Sequence, residues 1–196
     1  MNAVLISGTN GGIGSAIAEQ LLGKDYFVIG TDVGPDQFNL PGYIDADLRE
    51  LVSDEQLLIE FRQRVEEILE DRALVGLVNN AAFLETSFLQ NLTVDQFRTT
   101  MDVNVGGTFA LSKALLDLLA KSKGSIVNIG SIHARLTKPG FVNYATSKAA
   151  LRGLTRSMAV ECGTRVRVNL IEPAAIDTPM LRVGFRDCPE QLFELE

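Results

Sequence analysis

Cysteine and histidine are scarce in this chain, and what they would build is missing with them. Only two cysteines, Cys162 and Cys188, and one histidine, His133, occur in 196 residues. The cysteines stand far apart without C-x-x-C spacing, so neither a disulfide framework nor a zinc site is indicated, and no metal is expected. Basic clusters are lacking too. A net charge of −7 with no run of Lys or Arg argues against a phosphate backbone or a polybasic membrane contact, so neither nucleic acid nor membrane is an expected partner. The N-terminus, MNAVLISGTNGG, has no basic leader, and its apolar run is too short for a signal peptide or a spanning helix. These absences together point to the cytoplasm.

What is present is ordinary globular material. With 46% hydrophobic and 22% charged residues, 196 positions suit one domain with a full core, residues 1–196. Strand-like and helix-like stretches alternate. Ala3–Ser7 is a short apolar run that stops at glycine, the pattern of a strand buried on both faces. Gly8, Gly12 and Gly14 follow, with Asn10 and Ile13 between them, and then a helical stretch from Ser15 to Leu22. Strand, glycine loop and helix in that order allow close backbone approach and offer unpaired N–H groups to a pyrophosphate. The spacing is G-x-x-x-G-x-G rather than G-x-G-x-x-G.

Tyr26–Asp32 reads as a second buried strand ending in an acid, 18 residues past Gly14. A carboxylate there accepts both hydroxyls of a ribose and repels a 2′-phosphate. NAD is therefore expected over NADP. Gly42–Leu48 reads as a third strand, with Asp47 either facing adenine or standing as a plain loop carboxylate. Ser53–Glu70 carries a helical apolar stripe, and Ala73–Val78 a fourth strand that delivers Asn80 and Ala81 at its C-terminal end, the edge where open α/β sheets bind ligands. Thr93–Ala120 reads as one long helix with Asn104 on or beside its apolar side, where a polar group needs a partner. Ser125–Ile132 makes a fifth strand, Asn143–Cys162 a helix and Arg165–Ile171 a sixth strand, after which Pro173, Ile176 and Thr178 lead away from the same edge.

Within this frame Tyr144 and Lys148 leave one face of a helix four residues apart, which sets an ammonium beside a phenol. A positive charge favours the phenolate and tunes an acid/base. A bare Y-x-x-x-K also occurs on solvated helix faces, so the motif gains meaning only from its companions.

The companions are there. Gly8, Gly12, Gly14, Asp32, Asn79, Asn80, Ala81, Asn104, Ser131, Tyr144 and Lys148 occur in the order and spacing of the short-chain dehydrogenase/reductase family, which the chain resembles over most of its length. The resemblance implies a Rossmann-like α/β fold, a doubly wound parallel sheet of about six strands with helices on both faces. It further implies NAD(H)-dependent hydride exchange between a secondary alcohol and a ketone. Tyr144 would be the acid/base, Ser131 a hydrogen-bonding partner of the substrate oxygen, and Lys148 would hold the nicotinamide ribose and lower the phenol's pKa. Asn104 would position a relay water. Asn80 would lie near the nicotinamide-side ribose, Asp47 and Leu48 near adenine, and Thr178 near the carboxamide, with Ala81, Pro173 and Ile176 lining the crevice. His133 either faces substrate or points to solvent. A homodimer or homotetramer through the Thr93–Ala120 and Asn143–Cys162 helices is implied as well.

Three departures from the family pattern stand out. Ala82 and Ala174 occupy positions usually held by glycine, which is harmless only where φ is negative. Family members also continue with a seventh strand, whereas 174–196 reads as part of a substrate lid. The sixth strand is then expected at an open sheet edge. A catalytically weak dinucleotide-binding protein of the same fold is the alternative reading.

Overall fold

A computed structural model describes residues 1–184. Six parallel strands form one sheet in the order β3-β2-β1-β4-β5-β6. They are β1 (Ala3–Ser7), β2 (Phe27–Asp32), β3 (Gly42–Asp45), β4 (Leu74–Asn79), β5 (Ser125–Ile129) and β6 (Arg167–Ile171). Every residue of β1 is buried, as its unbroken apolar run requires. Successive side chains alternate between faces: Ala3 and Leu5 join the larger core, whereas Val4 and Ile6 pack with Ala18 of helix α1 (Gly12–Leu22). The larger core takes Phe61, Val65 and Leu69 of α3 (Glu55–Leu69) and Leu111, Leu115 and Leu119 of α5 (Thr108–Lys121). Helices thus cover both faces.

Chain order reverses between β1 and β4, so their C-terminal ends diverge into a crevice at the switch point. The glycine loop leaves β1 on one side of it, and Asn80 leaves β4 on the other. Among the described residues β6 is the last strand of the sheet, and Ile171 is 53% exposed there.

Several boundaries differ from the sequence reading. The third strand stops at Asp45, because Asp47 turns the chain by accepting the Arg49 N–H and capping α2 (Leu48–Ser53). The helix expected over 53–70 is α3, which starts only at Glu55 because Ser53 closes α2 and the Asp54 carboxylate caps α3 through Gln56 and Leu57 N–H. The helix over 93–120 is interrupted: α4 (Val94–Met101), opened by a Thr93–Gln96 capping box, runs into a π-helical turn over Asp102–Gly107 before α5. β5 ends at Ile129, and Ser131 caps a short 3₁₀ turn, Ile132–Ala134. The span Val94–Lys121 is long and apolar enough to cross a bilayer by length and composition, yet Leu111, Leu115 and Leu119 are wholly buried in the core, the mark of a core helix. The expected lid contributes α7 (Pro179–Gly184) after the irregular segment 174–178, and residues 185–196, with Cys188, lie outside the described residues.

Candidate active site

Helix α6 (Val142–Cys162) carries Tyr144 and Lys148 into the crevice from beneath β5 and β6. Both are buried; Lys148 is only 2% exposed. Its ammonium donates to the Ile129 carbonyl at 2.8 Å and lies 5.6 Å from the centre of the Tyr144 ring. Among the described residues no carboxylate comes within ion-pair distance of it. Burial brings the Lys148 pKa down to about 8. The Tyr144 phenol moves the other way: burial raises it, with the Ser131 hydroxyl opposing. This corrects the expected lowering. Burial dominates in the free chain, where the Lys148 ammonium is turned to the Ile129 carbonyl.

Asn104 sits in the π turn, a local widening that often marks functional positions. Its carboxamide is fully engaged. Oδ1 accepts from Phe83 N–H at 2.6 Å, while Nδ2 donates to the Phe83 carbonyl at 3.0 Å and to Ser147 Oγ at 2.9 Å. Ser147 in turn donates to the Tyr144 carbonyl at 2.7 Å. Asn104 thereby ties the segment after β4 to the Tyr144 turn, which gives the side chain a structural role whether or not its backbone also holds a water.

His133 is not a solvent-facing loop residue. Its ring stacks on Phe141 at 4.5 Å and meets the Tyr144 ring edge-on at 6.0 Å, and burial lowers its pKa.

Below Tyr144 and Lys148 runs a buried polar ladder of which sequence reasoning singled out only Asn79. Asn79 donates to Ser112 Oγ and Asn128 Oδ1, and Asn128 donates to Thr155 Oγ1, which links β4, β5, α5 and α6. Asn143, also buried, donates to the Glu85 carbonyl and to Thr100 Oγ1. Polar residues inside otherwise apolar strands, such as Asn128 in SIVNI, were the available signal.

At the other side of the crevice the glycine loop is packed to its limit. Gly8 holds φ +75°, and a Cβ there would stand 2.7 Å from Ala81 Cα. A Cβ on Gly14 would overlap the Gly8 carbonyl, and one on Gly12 would meet Thr178 Cγ2 at 2.9 Å. No side chain caps α1, so the N–H groups of its first turn, Gly12, Ile13 and Gly14, are open to an anion. Asn80 is committed to the loop: its Nδ2 donates to the Ser7 and Gly8 carbonyls, and Ser7 Oγ accepts the N–H groups of Asn80 and Ala81. Only its carbonyl oxygen is left for a ligand. Asp32 accepts Asn10 N–H and Val33 N–H, one on each oxygen, both at 2.8 Å. Carboxylate oxygens accept twice, so two lone pairs remain for a diol.

Asp47 spends one oxygen as the α2 cap, and Leu48 is buried against Gly107 rather than facing the crevice. Pro173 accepts from Ile132 N–H at 2.9 Å, which draws the segment after β6 toward Ser131. Ile176 is exposed, and Thr178 caps α7 against Gly12. Ala82 and Ala174 both lie at negative φ, so the methyl groups cost nothing. A cavity of about 540 Å³ opens elsewhere, beside β6 among Arg135, Arg152, Arg156 and Glu172; of the residues above it touches only Thr155.

This geometry fits a dinucleotide: a backbone cradle without room for Cβ atoms, open helix N–H groups, a ribose carboxylate, and a phenol and ammonium across the switch point. The sequence matches the model of the short chain dehydrogenase family over residues 2–188. The chain belongs to the short chain dehydrogenase family. It is therefore an oxidoreductase of Rossmann-like, nucleotide-binding architecture, from a family that uses NAD or NADP. It is 34% identical over 186 residues to the 3-oxoacyl-(acyl-carrier-protein) reductase FabG of Salmonella typhimurium, with 91% of this chain and 75% of the relative covered. Among solved structures it resembles 4-hydroxyisoleucine dehydrogenase complexed with NADH, with TM-score 0.80, 30% identity and coverage of 100% and 88%. It also resembles a short chain dehydrogenase of Shigella flexneri complexed with NADP, with TM-score 0.85, 27% identity and coverage of 97% and 84%. The neighbours thus include both dinucleotides.

Proposed function

We propose that this dehydrogenase interconverts a secondary alcohol and a ketone with NAD(H), Tyr144 acting as acid/base. The observation that carries the proposal is the buried Lys148 ammonium without a carboxylate partner, 5.6 Å from the Tyr144 ring. An unpaired buried cation destabilises a fold, and stabilising a phenolate gives it a purpose. The α1 N-terminus and Asp32 would hold the dinucleotide, whose nicotinamide ring would supply or accept the hydride. In the oxidative direction Tyr144, as phenolate, takes the hydroxyl proton while hydride leaves the carbon; in the reductive direction the phenol returns that proton to the carbonyl oxygen. Ser131 donates to the same substrate oxygen. Lys148 offsets the phenolate charge, and Asn104 keeps α6 and the segment after β4 in register.

NAD is favoured over NADP by the surroundings of Asp32. Between Lys24 and Arg49 the chain has five aspartates and no Lys or Arg, which leaves nothing to pair a 2′-phosphate. Likeness to the 3-oxoacyl reductase supports, as a second reading, the ketone of a 3-oxoacyl chain as substrate, a reaction of the same type. The free, buried thiol of Cys162 suits a reducing cytoplasm. We place a homodimer or homotetramer contact along α5 and α6, where Phe109 and Val160 are exposed; a monomer by light scattering would refute it.

The test is NADH and NADPH titration by fluorescence, followed by turnover assays on secondary alcohols and 3-oxoacyl thioesters, for the wild type and Tyr144→Phe. NADH binding with turnover lost in Tyr144→Phe is expected. NADH binding without turnover on any alcohol would leave a dinucleotide-binding protein instead.

A further inference from the structure

The fold gathers three arginines although the sequence has no basic run. Arg135 follows the 3₁₀ turn that Ser131 caps, Arg152 and Arg156 stand one turn apart on α6, and all three line the cavity of about 540 Å³ beside β6. Elsewhere in this chain arginine docks on carboxylate as a fork. Arg62 donates to both oxygens of Asp117, and Arg182 to both oxygens of Asp177. Glu172, in the same cavity wall, is not held that way. Its side chain is only 13% exposed, yet Arg135 Nε stands 3.3 Å and Arg152 Nε 3.9 Å away, and its Oε1 has no hydrogen-bond partner among the described residues. Among the described residues Arg156 has no carboxylate partner, and none of the three guanidiniums makes a hydrogen bond. Three positive charges against one negative leave two in excess, in a chain whose net charge is −7.

We propose that this cavity binds an organic phosphate monoester, with the phosphate gripped by Arg135, Arg152 and Arg156 and the carbon skeleton lying on Ala159, Val168 and Leu170. A phosphate monoester carries nearly two negative charges at neutral pH, which matches the excess, and a guanidinium fork fits two phosphate oxygens at once. Phosphate alone would leave most of the space empty, whereas sites for whole small molecules span roughly 300–1,000 Å³. Glu172 lies under the arginines as a partial counter-charge. The lining includes none of Ser131, Tyr144 and Lys148, so the occupant is bound and not turned over. It would join Arg135, on the segment leaving Ser131, to Arg152, one turn beyond Lys148. The inference does not depend on the choice of dinucleotide or substrate.

The experiment is calorimetric titration of the full chain with phenyl phosphate and with inorganic phosphate at constant ionic strength, with thermal melts as a folding check. Phenyl phosphate should bind one to one, and more tightly than inorganic phosphate because only it reaches the apolar wall. Arg156→Gln, at an exposed position, should weaken it by about 10-fold, the value of one charge-assisted hydrogen bond, and Arg152→Gln/Arg156→Gln should weaken it further. Glu172→Gln, with one repelling charge fewer, should bind it at least as tightly. Affinity should be the same with NADH present, which separates this site from the open N–H groups of α1. No saturable heat at millimolar phenyl phosphate, equal affinity for the two phosphates, binding that survives Arg152→Gln/Arg156→Gln or is displaced by NADH, or weaker binding in a folded Glu172→Gln would each overturn the proposal.

Discussion

The two banks of the crevice are built by different means. On the glycine-loop side the binding groups are main chain: open N–H groups at the start of α1, a Gly8 at φ +75°, and carboxylates held by backbone donors at a partly exposed rim. On the Tyr144 side they are buried side chains, Lys148 and Asn104 together with the Asn79–Asn128–Thr155 ladder, hydrogen-bonded to other polar groups except at Asn79 Oδ1, which has no partner among the described residues. Backbone sites tolerate side-chain change and fail on added bulk. Buried polar sites fail on deletion, because whatever remains is left unpaired in a low dielectric. The two banks should therefore answer mutation differently.

The largest contrast is expected in Tyr144→Phe, which removes the proton carrier and should lower kcat by about 10²- to 10⁴-fold while NADH affinity holds, measured by steady-state turnover and titration. Lys148→Met comes next. Turnover should collapse with it, yet the protein should gain about 1–3 kcal/mol at pH 7 in chemical denaturation, because a buried charge is replaced by an apolar chain. A loss of stability would mean that the Ile129 hydrogen bond outweighs desolvation.

The pH dependence of stability sharpens the same point. Lys148 has a folded pKa of about 8 against an ordinary 10.5, so between those values the unfolded chain holds the extra proton. Stability from this group is fully present above 10.5 and is lost as pH falls through 8. Tyr144, raised above 10, acts oppositely and loses stability as pH climbs past 10. Melting points should rise from pH 8 toward 10 in the wild type, and the rise should vanish in Lys148→Met.

Smaller effects follow. Asn128→Ala removes one hydrogen bond from Asn79 Nδ2, which keeps Ser112, and one from Thr155 Oγ1, which keeps the Leu151 carbonyl, and should cost about 1–3 kcal/mol in denaturant titration, with the glycine-loop bank unaffected. Asp32→Asn should change stability by less than about 1 kcal/mol and weaken NADH about 10-fold. If Asp32→Asn proved as destabilising as Asn128→Ala, the division between the two banks would fail.

Much of this was legible without coordinates. β1 was bounded correctly because a strand buried on both faces must be continuously apolar, and Gly8 ends it where the backbone turns to positive φ. Helix α2 was hidden because six residues carry too little periodicity to show, and its Asp47 cap is revealed only by a hydrogen bond. The π turn at Asn104 was equally silent, since periodicity over 28 residues averages out one widened turn.

Order and residue type along the chain determined the alternation of strand and helix, the glycine cradle, the acid after β2, and the pairing of Tyr144 with Lys148 on one helix face. These depend on spacing within single elements. Tertiary structure alone decided that Lys148 is buried against a carbonyl, that desolvation raises Tyr144 despite it, that His133 packs on Phe141 and Tyr144, and that three arginines gather around Glu172 beside β6. Each of those facts turns on which distant segments exclude water from a group, and that is set only when the sheet and its helices have assembled.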